Sequence, residues 1–134
     1  GTGDVSRPML PIKITNPETA DSLISYGLID TGADECAMPA ALAPVLGHNL
    51  TEGFIKNIMT GNGVTQAYRH TTRIEILDYS DASTVLYTID DTLVDYMPNL
   101  QPILLGANNF LSRFVLTVNY PDGTFSIREP SSLP

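Results

Sequence analysis

Apolar and polar positions along the chain form short segments separated by turns rich in glycine, proline, asparagine and aspartate. Valine, isoleucine, threonine, tyrosine and phenylalanine, which favour strands, fill most of these segments. The pattern predicts strands at residues 9–14, 23–29, 54–60, 64–77, 84–96, 103–106, 115–120 and 124–127. The segment 103–106 is continuously apolar, as expected of a strand that is buried on both faces.

Two turns predict hairpins between neighbouring strands. The turn Gly61-Asn62-Gly63 joins the segments 54–60 and 64–77, and an Asn-Gly pair favours a tight primed turn. The turn Pro121-Asp122-Gly123 joins the last two segments in a similar way. Residues 78–83 are polar and predict a further turn before the strand at 84–96.

Helical patterns are short and few. Residues 39–46 predict a brief helix that ends at Gly47, although Pro44 inside the segment weakens this helix. Asn108 is placed to cap a second short helix over residues 110–114. No repeat or shift in composition divides the chain. The sequence therefore predicts one mostly β domain with one or two short helices.

The composition supports a globular domain and excludes several classes of partner. The chain has 134 residues, 43% of them hydrophobic and 16% charged, which suits a single folded domain. Fifteen acidic and seven basic residues give a net charge of −8, so nucleic acid and anionic membrane surfaces are not expected partners. No apolar run approaches the roughly 20 residues of a membrane span.

The chain ends and the cysteine content say little about location. The start at Gly1, without Met, is expected of an artificial end or of a piece excised from a longer polypeptide, so no localisation is predicted. Cys36 is the one cysteine, which rules out a disulfide within the chain. Small apolar neighbours indicate that Cys36 belongs to the core and is not a nucleophile.

The strongest chemical feature is Asp30-Thr31-Gly32, directly after an apolar strand. This order places a carboxylate at a strand end in a tight turn, where Gly32 permits close approach of another chain segment. The Thr31 hydroxyl is suited to bonding nearby backbone groups and holding the turn. On its own the tripeptide is weak, because a strand followed by an ordinary Asx-type turn has the same pattern.

Further motifs make the sequence resemble the retropepsins, the single-domain aspartic proteases of retroviruses, retroelements and some bacteria. The similar pieces, scattered over residues 7–127, are Arg7-Pro8, Ile12-Lys13-Ile14, the segment from Leu28 to Asp34, Ile103-Leu104-Leu105-Gly106 and Phe110-Leu111. The resemblance implies a single retropepsin-like acid protease fold over the whole chain. It also implies an aspartic endopeptidase that cleaves extended polypeptides and needs no cofactor or metal.

The mechanism of such enzymes implies a homodimer. Two carboxylates share a proton around one water, because two close like charges do not both ionise easily. This chain has one Asp-Thr-Gly, since Asp90-Asp91-Thr92 and Asp122-Gly123-Thr124 have the wrong order. We therefore expect one catalytic Asp30 from each of two subunits.

The resemblance also implies roles for the neighbours of Asp30. Thr31, Gly32 and Ala33 would support the catalytic loop, and the absence of a hydroxyl at Ala33 predicts a less acidic working range than that of a digestive pepsin. Asp34 would contact substrate backbone and meet Arg7 across the dimer. Glu35 would also contact substrate, although a solvated acidic pair explains Asp34 and Glu35 as well. Many retropepsins carry arginine after the second glycine, where this chain has Ala107.

The hairpin over residues 54–73 is the candidate flap, which would close over a bound peptide. Its expected substrate-contacting residues are Met59, Thr60, Gly61, Asn62 and Gly63. A purely structural hairpin accounts for the same pattern. The pockets for substrate side chains are expected to be mainly apolar.

A metal site is not expected. His48 and His70 are far apart in sequence and lack acid or cysteine neighbours at metal-ligand spacing, so we interpret both as ordinary residues.

The alternative to a protease is a retropepsin-fold module that dimerises or binds peptides without cleaving them, since a fold does not determine a function.

Overall fold

The computed structural model describes residues 8–60, 63–108 and 110–130. Strands dominate this part of the chain, which confirms the prediction of a mostly β single domain. The strands are β1 Met9–Thr15, β2 Ser22–Ile29, β3 Cys36–Pro39, β4 Phe54–Thr60, β5 Gly63–Leu77, β6 Val85–Met97, β7 Ile103–Leu105, β8 Val115–Asn119 and β9 Thr124–Arg128. All eight predicted strands are present, and β3, which is only four residues long, is the additional one.

Six of the strands close into a barrel. Their order is β1-β2-β7-β3-β6-β5, and β1 pairs again with β5 to complete the ring. The closing contact is antiparallel and aligns Ile12 with Ile76 and Ile14 with Ile74. Closure leaves no free edge within the ring, so the exposed pairing groups of an open sheet are avoided here. The remaining strand of this sheet, β4, adds to β5 outside the ring.

Side chains that alternate along the strands fill the barrel interior. The largest fully buried side chains are Tyr96, Phe110, Ile12, Ile14, Met38, Leu46, Ile74, Ile76, Leu77, Leu105 and Val94. Cys36 is fully buried among them, as its apolar neighbours predict. β7 differs from its prediction, because Ile103 and Leu105 are buried whereas Leu104 is only half-buried. One face of β7 is therefore buried and the other is only half-buried, whereas the sequence predicts burial on both faces.

The first predicted helix is present but short. It covers Leu42–Val45 and ends through two backbone bonds: Gly47 N–H donates to the Pro44 carbonyl at 3.1 Å, and His48 N–H donates to the Ala43 carbonyl at 2.9 Å. Gly47 has a φ of +73°, the left-handed conformation that this helix ending requires. A 3₁₀ turn at Leu50–Glu52 follows before β4. Gly47 thus ends the helix as the sequence predicts.

The second predicted helix, over residues 110–114, is present only in part, and no side chain among the described residues caps it. The structure has only a 3₁₀ turn at Leu111–Arg113. Phe110, which would have begun the helix, is fully buried with a non-helical backbone, because its ring anchors the segment to the core. Leu111 N–H donates to the Gly106 carbonyl at 3.0 Å, which ties the turn back to the end of β7. Core packing therefore overrides the local capping pattern.

Both predicted hairpins form. In the first, β4 and β5 pair from Phe54↔Arg69 to Thr60↔Gly63, while residues 61 and 62 lie outside the described range. In the second, β8 and β9 make a separate two-stranded sheet, and Gly123 in its turn has a φ of +63°. Partly buried side chains of the second hairpin, including Leu116 and Phe125, pack on the barrel core.

Candidate active site

The Asp-Thr-Gly segment joins two strands that are not neighbours in the sheet. The chain leaves β2 at Ile29 and re-enters the sheet at Cys36 in β3, with β7 inserted between these two strands. β7 runs parallel to β2 and antiparallel to β3. We call residues 30–35, which connect β2 to β3, the aspartate loop. β7, about 70 residues further along the chain, thus passes beneath this loop.

Asp30 itself is held by backbone bonds. Its N–H donates to the Leu105 carbonyl at 3.1 Å, and its carbonyl accepts from Ala33 N–H at 3.1 Å. Its carboxylate oxygen Oδ1 accepts from Gly32 N–H at 3.0 Å. The side chain of Asp30 is half-buried, whereas Thr31 and Gly32 are exposed. The Gly32 bond is that of an Asx-type turn, so the loop geometry fits both interpretations of the tripeptide.

The end of β7 supports the aspartate loop from below. Ala107 N–H donates to the Ala33 carbonyl at 2.9 Å, and Asn108 N–H donates to the Asp34 carbonyl at 2.7 Å. Gly106 is buried, and a Cβ there would lie 2.3 Å from the Glu35 carbonyl oxygen. Real Cβ atoms do not approach backbone so closely, so this position requires glycine. Two segments that carry the retropepsin resemblance, Leu28 to Asp34 and Ile103 to Gly106, which we call the two motifs, are therefore in direct contact.

Residues from six strands line up on the face that carries the aspartate loop. The aligned positions are Leu28, Leu104, Ala37, Asp95, Arg69 and Phe54. Directly opposed residues in a sheet project to the same face, and Asp30 follows Leu28 by two positions. We call this surface the loop face, in contrast to the barrel interior that Ile29, Leu105 and Tyr96 occupy. Asp30 and Asp95 therefore belong to the same face.

A charged group lies on this face that the sequence predictions missed. The carboxylate of Asp95 is 4% exposed, and Arg69 binds it with Nε–Oδ1 at 2.9 Å and Nη2–Oδ2 at 3.4 Å. Lys56 Nζ approaches Oδ2 at 3.5 Å from β4. The hydrogen bond to Asp95 raises the pKa of the Arg69 guanidinium, and the charge of Glu35 adds to this effect. One signal in the sequence could have identified Asp95. It is an acidic residue between two residues of a strand segment, Val94 and Tyr96, that the structure buries.

The acidic residues after the tripeptide differ in environment. Asp34 is exposed, while Glu35 is half-buried and accepts a long bond of 3.5 Å from Asn108 Nδ2. Arg7, the predicted dimer partner of Asp34, lies outside the described residues. The pairing of Arg7 with Asp34 stays a prediction.

The candidate flap extends away from the ring. Met59 is 80% exposed and Val64, opposite it across the hairpin, is 63% exposed. Thr60 and Gly63 form the last pair of the ladder, and Gly63 has a φ of +116°. Gly61 and Asn62 lie outside the described range. The roles of these five residues in substrate binding stay predictions.

An apolar groove of about 450 Å³ borders the other side of the aspartate loop. Ile29 at the end of β2 and Thr31 of the loop line it on one side, and Leu116, Val118 and Phe125 line it from the second hairpin. The residue directly after Asp30 therefore contributes to an apolar groove that the second hairpin helps to form.

The two histidines, distant in sequence, are in contact. The ring centroids of His48 and His70 are 4.5 Å apart, and both rings pack against Tyr96. Burial is the main cause that lowers the pKa of His48, and the neighbouring His70 adds to it. Burial also raises the pKa of the Cys36 thiol to about 11, so this thiol is poorly suited to act as a nucleophile. No group of three or more potential metal ligands occurs among the described residues.

Comparisons with known proteins identify no family for this chain. No protein-family model matches the sequence, and no curated protein is significantly similar to it. Within the described residues, no helix is long and apolar enough to cross a membrane. The function must therefore be argued from the loop and its surroundings.

Proposed function

We propose that this chain is a retropepsin-like aspartic endopeptidase that acts as a homodimer. The observation that carries the proposal is the contact between the two motifs, in which Gly106 packs under the backbone of the aspartate loop. An ordinary Asx turn needs no such support from a strand 70 residues away. The inserted β7 and the aligned loop face add to this support, because both place Asp30 at a rigid and accessible position.

The proposed reaction is the hydrolysis of a peptide bond by water. Asp30 of one subunit, in the charged form, takes a proton from the water as the water attacks the peptide carbonyl carbon. The protonated Asp30 of the second subunit donates its proton to the carbonyl oxygen. The resulting tetrahedral intermediate loses the amine after proton transfer to nitrogen, and the peptide bond breaks. Each subunit supplies half of this arrangement, so the monomer is expected to be inactive.

The proposed substrate is a polypeptide in extended conformation. It would lie between the β4–β5 hairpin and the paired Asp30 residues, with its backbone hydrogen-bonded in the manner of an added strand. The hairpin β4–β5 would cover it, since β4 pairs only with β5 among the described strands. Its exposed Met59 and Val64 would supply apolar contacts.

The test is the substitution Asp30→Asn, with Asp91→Asn as the matched control. Asp91 is exposed and belongs to the Asp-Asp-Thr sequence that lacks the required order. Cleavage of a diverse peptide library by mass spectrometry should disappear in Asp30→Asn and persist in Asp91→Asn. Both variants should keep the circular dichroism spectrum and the sedimentation behaviour of the unmodified protein. A wild-type chain that dimerises but cleaves no peptide would refute the protease.

The second candidate is a module of the same fold that binds peptides without cleaving them. Ala107 favours it, because this residue offers no charged side chain beside Asp34, where the family often has arginine. In that case Asp30→Asn changes neither peptide binding nor dimerisation, and the wild-type protein has no activity to lose.

A further inference from the structure

The carboxylate of Asp95 is the most buried charged group on the loop face. It is 4% exposed, while the side chains of Arg69 and Lys56 are 24% and 42% exposed. A buried carboxylate needs compensation by opposite charge or hydrogen bonds, and Arg69 supplies both. We call Lys56, Arg69 and Asp95 the Asp95 cluster. It joins three strands, because Lys56 lies on β4, Arg69 on β5 and Asp95 on β6.

The cluster contains one more cation than its buried anion can satisfy. Arg69 contacts both oxygens of Asp95 in a forked arrangement, with the shorter bond at 2.9 Å. Lys56 reaches only Oδ2, at 3.5 Å, where Arg69 already binds. A lysine ammonium has three donors, so the contact of Lys56 with Asp95 leaves further donors on a side chain that is 42% exposed. Lys56 is therefore a partly exposed cation held in place by a neutral pair.

The cluster lies within reach of a peptide bound at the aspartate loop. Asp95 is three strand positions from Leu28, through Leu104 and Ala37, in the aligned row. Three spacings of about 4.8 Å correspond to the length of a short extended peptide. Glu35 connects the two regions, because it belongs to the aspartate loop and its charge acts on Arg69.

We propose that the Asp95 cluster is a subsite for an acidic side chain of the bound peptide, with the Lys56 ammonium as its ligand. The Arg69–Asp95 pair positions Lys56, and the remaining donors of Lys56 bind the incoming aspartate or glutamate carboxylate. The location of the peptide rests on the proposed function. The subsite also changes the expectation of mainly apolar pockets, since at least one pocket on this face is charged.

The charge of Glu35 works against this preference. Glu35 is half-buried and receives a long bond from Asn108, so its charge is already partly compensated. The Lys56 side chain is 42% exposed and makes only one long contact among the described residues, so its ammonium has donors available for a charge-assisted bond. If Glu35 dominated instead, the subsite would select a basic side chain, which is a separate outcome of the test.

The experiment measures peptide binding to the Asp30→Asn protein, which keeps the full chain and does not depend on cleavage. The probes are fluorescent eight-residue apolar peptides, identical except for one position that carries Glu, Gln or Lys and is moved along the peptide. Fluorescence anisotropy should show about tenfold tighter binding of Glu over Gln at one position. Lys56→Met should reduce this ratio to about one, and the matched control Lys13→Met, on β1, should leave it unchanged.

Each remaining outcome has a defined meaning. A Glu preference that survives Lys56→Met, equal binding of Glu and Gln at every position, or a preference for Lys overturns the acidic subsite. Binding of no peptide overturns it as well. A Glu preference that depends on Lys56, in a chain whose wild-type form cleaves no peptide, supports the subsite and refutes the protease. The two proposals therefore fail separately.

Discussion

Asp95 and Tyr96 are neighbours on β6 and both buried, yet they face opposite environments. The side chain of Asp95, on the loop face, is 4% exposed, and its charge is compensated by Arg69 and Lys56. Tyr96, in the barrel interior, is fully buried and shares a hydrogen bond of 2.9 Å with the Thr72 hydroxyl. Burial raises the pKa of Tyr96 to about 12, which keeps it neutral.

The difference shows how one sheet separates two kinds of polar chemistry. The loop face opens to solvent through long cationic side chains, which keep their charged ends hydrated while their stems cover the carboxylate. In the interior, the side chain of Tyr96 contacts the Thr72 hydroxyl and the rings of His48 and His70. The buried carboxylate of Asp95 thus lies on the face that carries Asp30, whereas the buried hydroxyl of Tyr96 lies on the interior face. Four substitutions test this separation.

The largest effect is expected at Gly106, which supports the loop face from within. In Gly106→Ala the new methyl would lie 2.3 Å from the Glu35 carbonyl oxygen, so backbone must move. We expect a loss of about 3 kcal/mol in the free energy of unfolding, measured by urea denaturation. The control is Gly32→Ala, whose methyl would meet only Asp30 Oδ1, at an ordinary 3.4 Å. Equal losses in both variants would contradict the supporting role of Gly106.

The substitution Asp95→Asn tests the charged side. It leaves Arg69 and Lys56 without their shared anion, but both can turn to solvent because both are partly exposed. We therefore expect a loss of about 2 kcal/mol, less than the 3–5 kcal/mol typical of fully buried pairs. The loss should shrink as salt is raised, because salt screens the exposed part of the cluster. A loss independent of salt would indicate that packing, and not charge, is the main contribution of Asp95.

The substitution Tyr96→Phe tests the neutral side. It removes the partner of the buried Thr72 hydroxyl, which keeps only a long contact of 3.4 Å to the His70 carbonyl. We expect a loss of about 1 kcal/mol in the free energy of unfolding. In contrast to Asp95→Asn, this loss should not depend on salt, because no charge is involved. A salt-dependent loss would contradict the neutral character of the interior.

The smallest effect concerns the dependence of stability on pH. Asn16 Nδ2 donates to His48 Nδ1 at 3.3 Å, and burial and His70 lower the pKa of His48. The unfolded chain therefore binds a proton at His48 more readily, so stability falls as pH drops below about 6.5. His48→Gln should remove this part of the decline, by less than about 1 kcal/mol, in urea denaturation at pH 5 and pH 7.5. An unchanged decline would assign it to other groups.

The sequence predicts the local elements well and the local contacts of the site in part. Strands, hairpins and the helix ending at Gly47 follow from alternation and turn residues, which act over a few positions. The helix predicted at residues 110–114 is only a 3₁₀ helix at Leu111–Arg113, because Phe110 packs in the core, a contact that no local pattern reveals. Asp95 was not identified either, because its partners come from two other strands.

The sequence by itself determined the strand pattern, the fully buried Cys36 and the candidate motif at Asp30. Only the tertiary structure decided that β7 passes between β2 and β3, so that Gly106 meets the aspartate loop. It also decided which residues share the loop face with Asp30 and that His48 touches His70. The physical reason is that strand register and barrel closure depend on packing between distant segments, whereas local propensity acts within each segment alone.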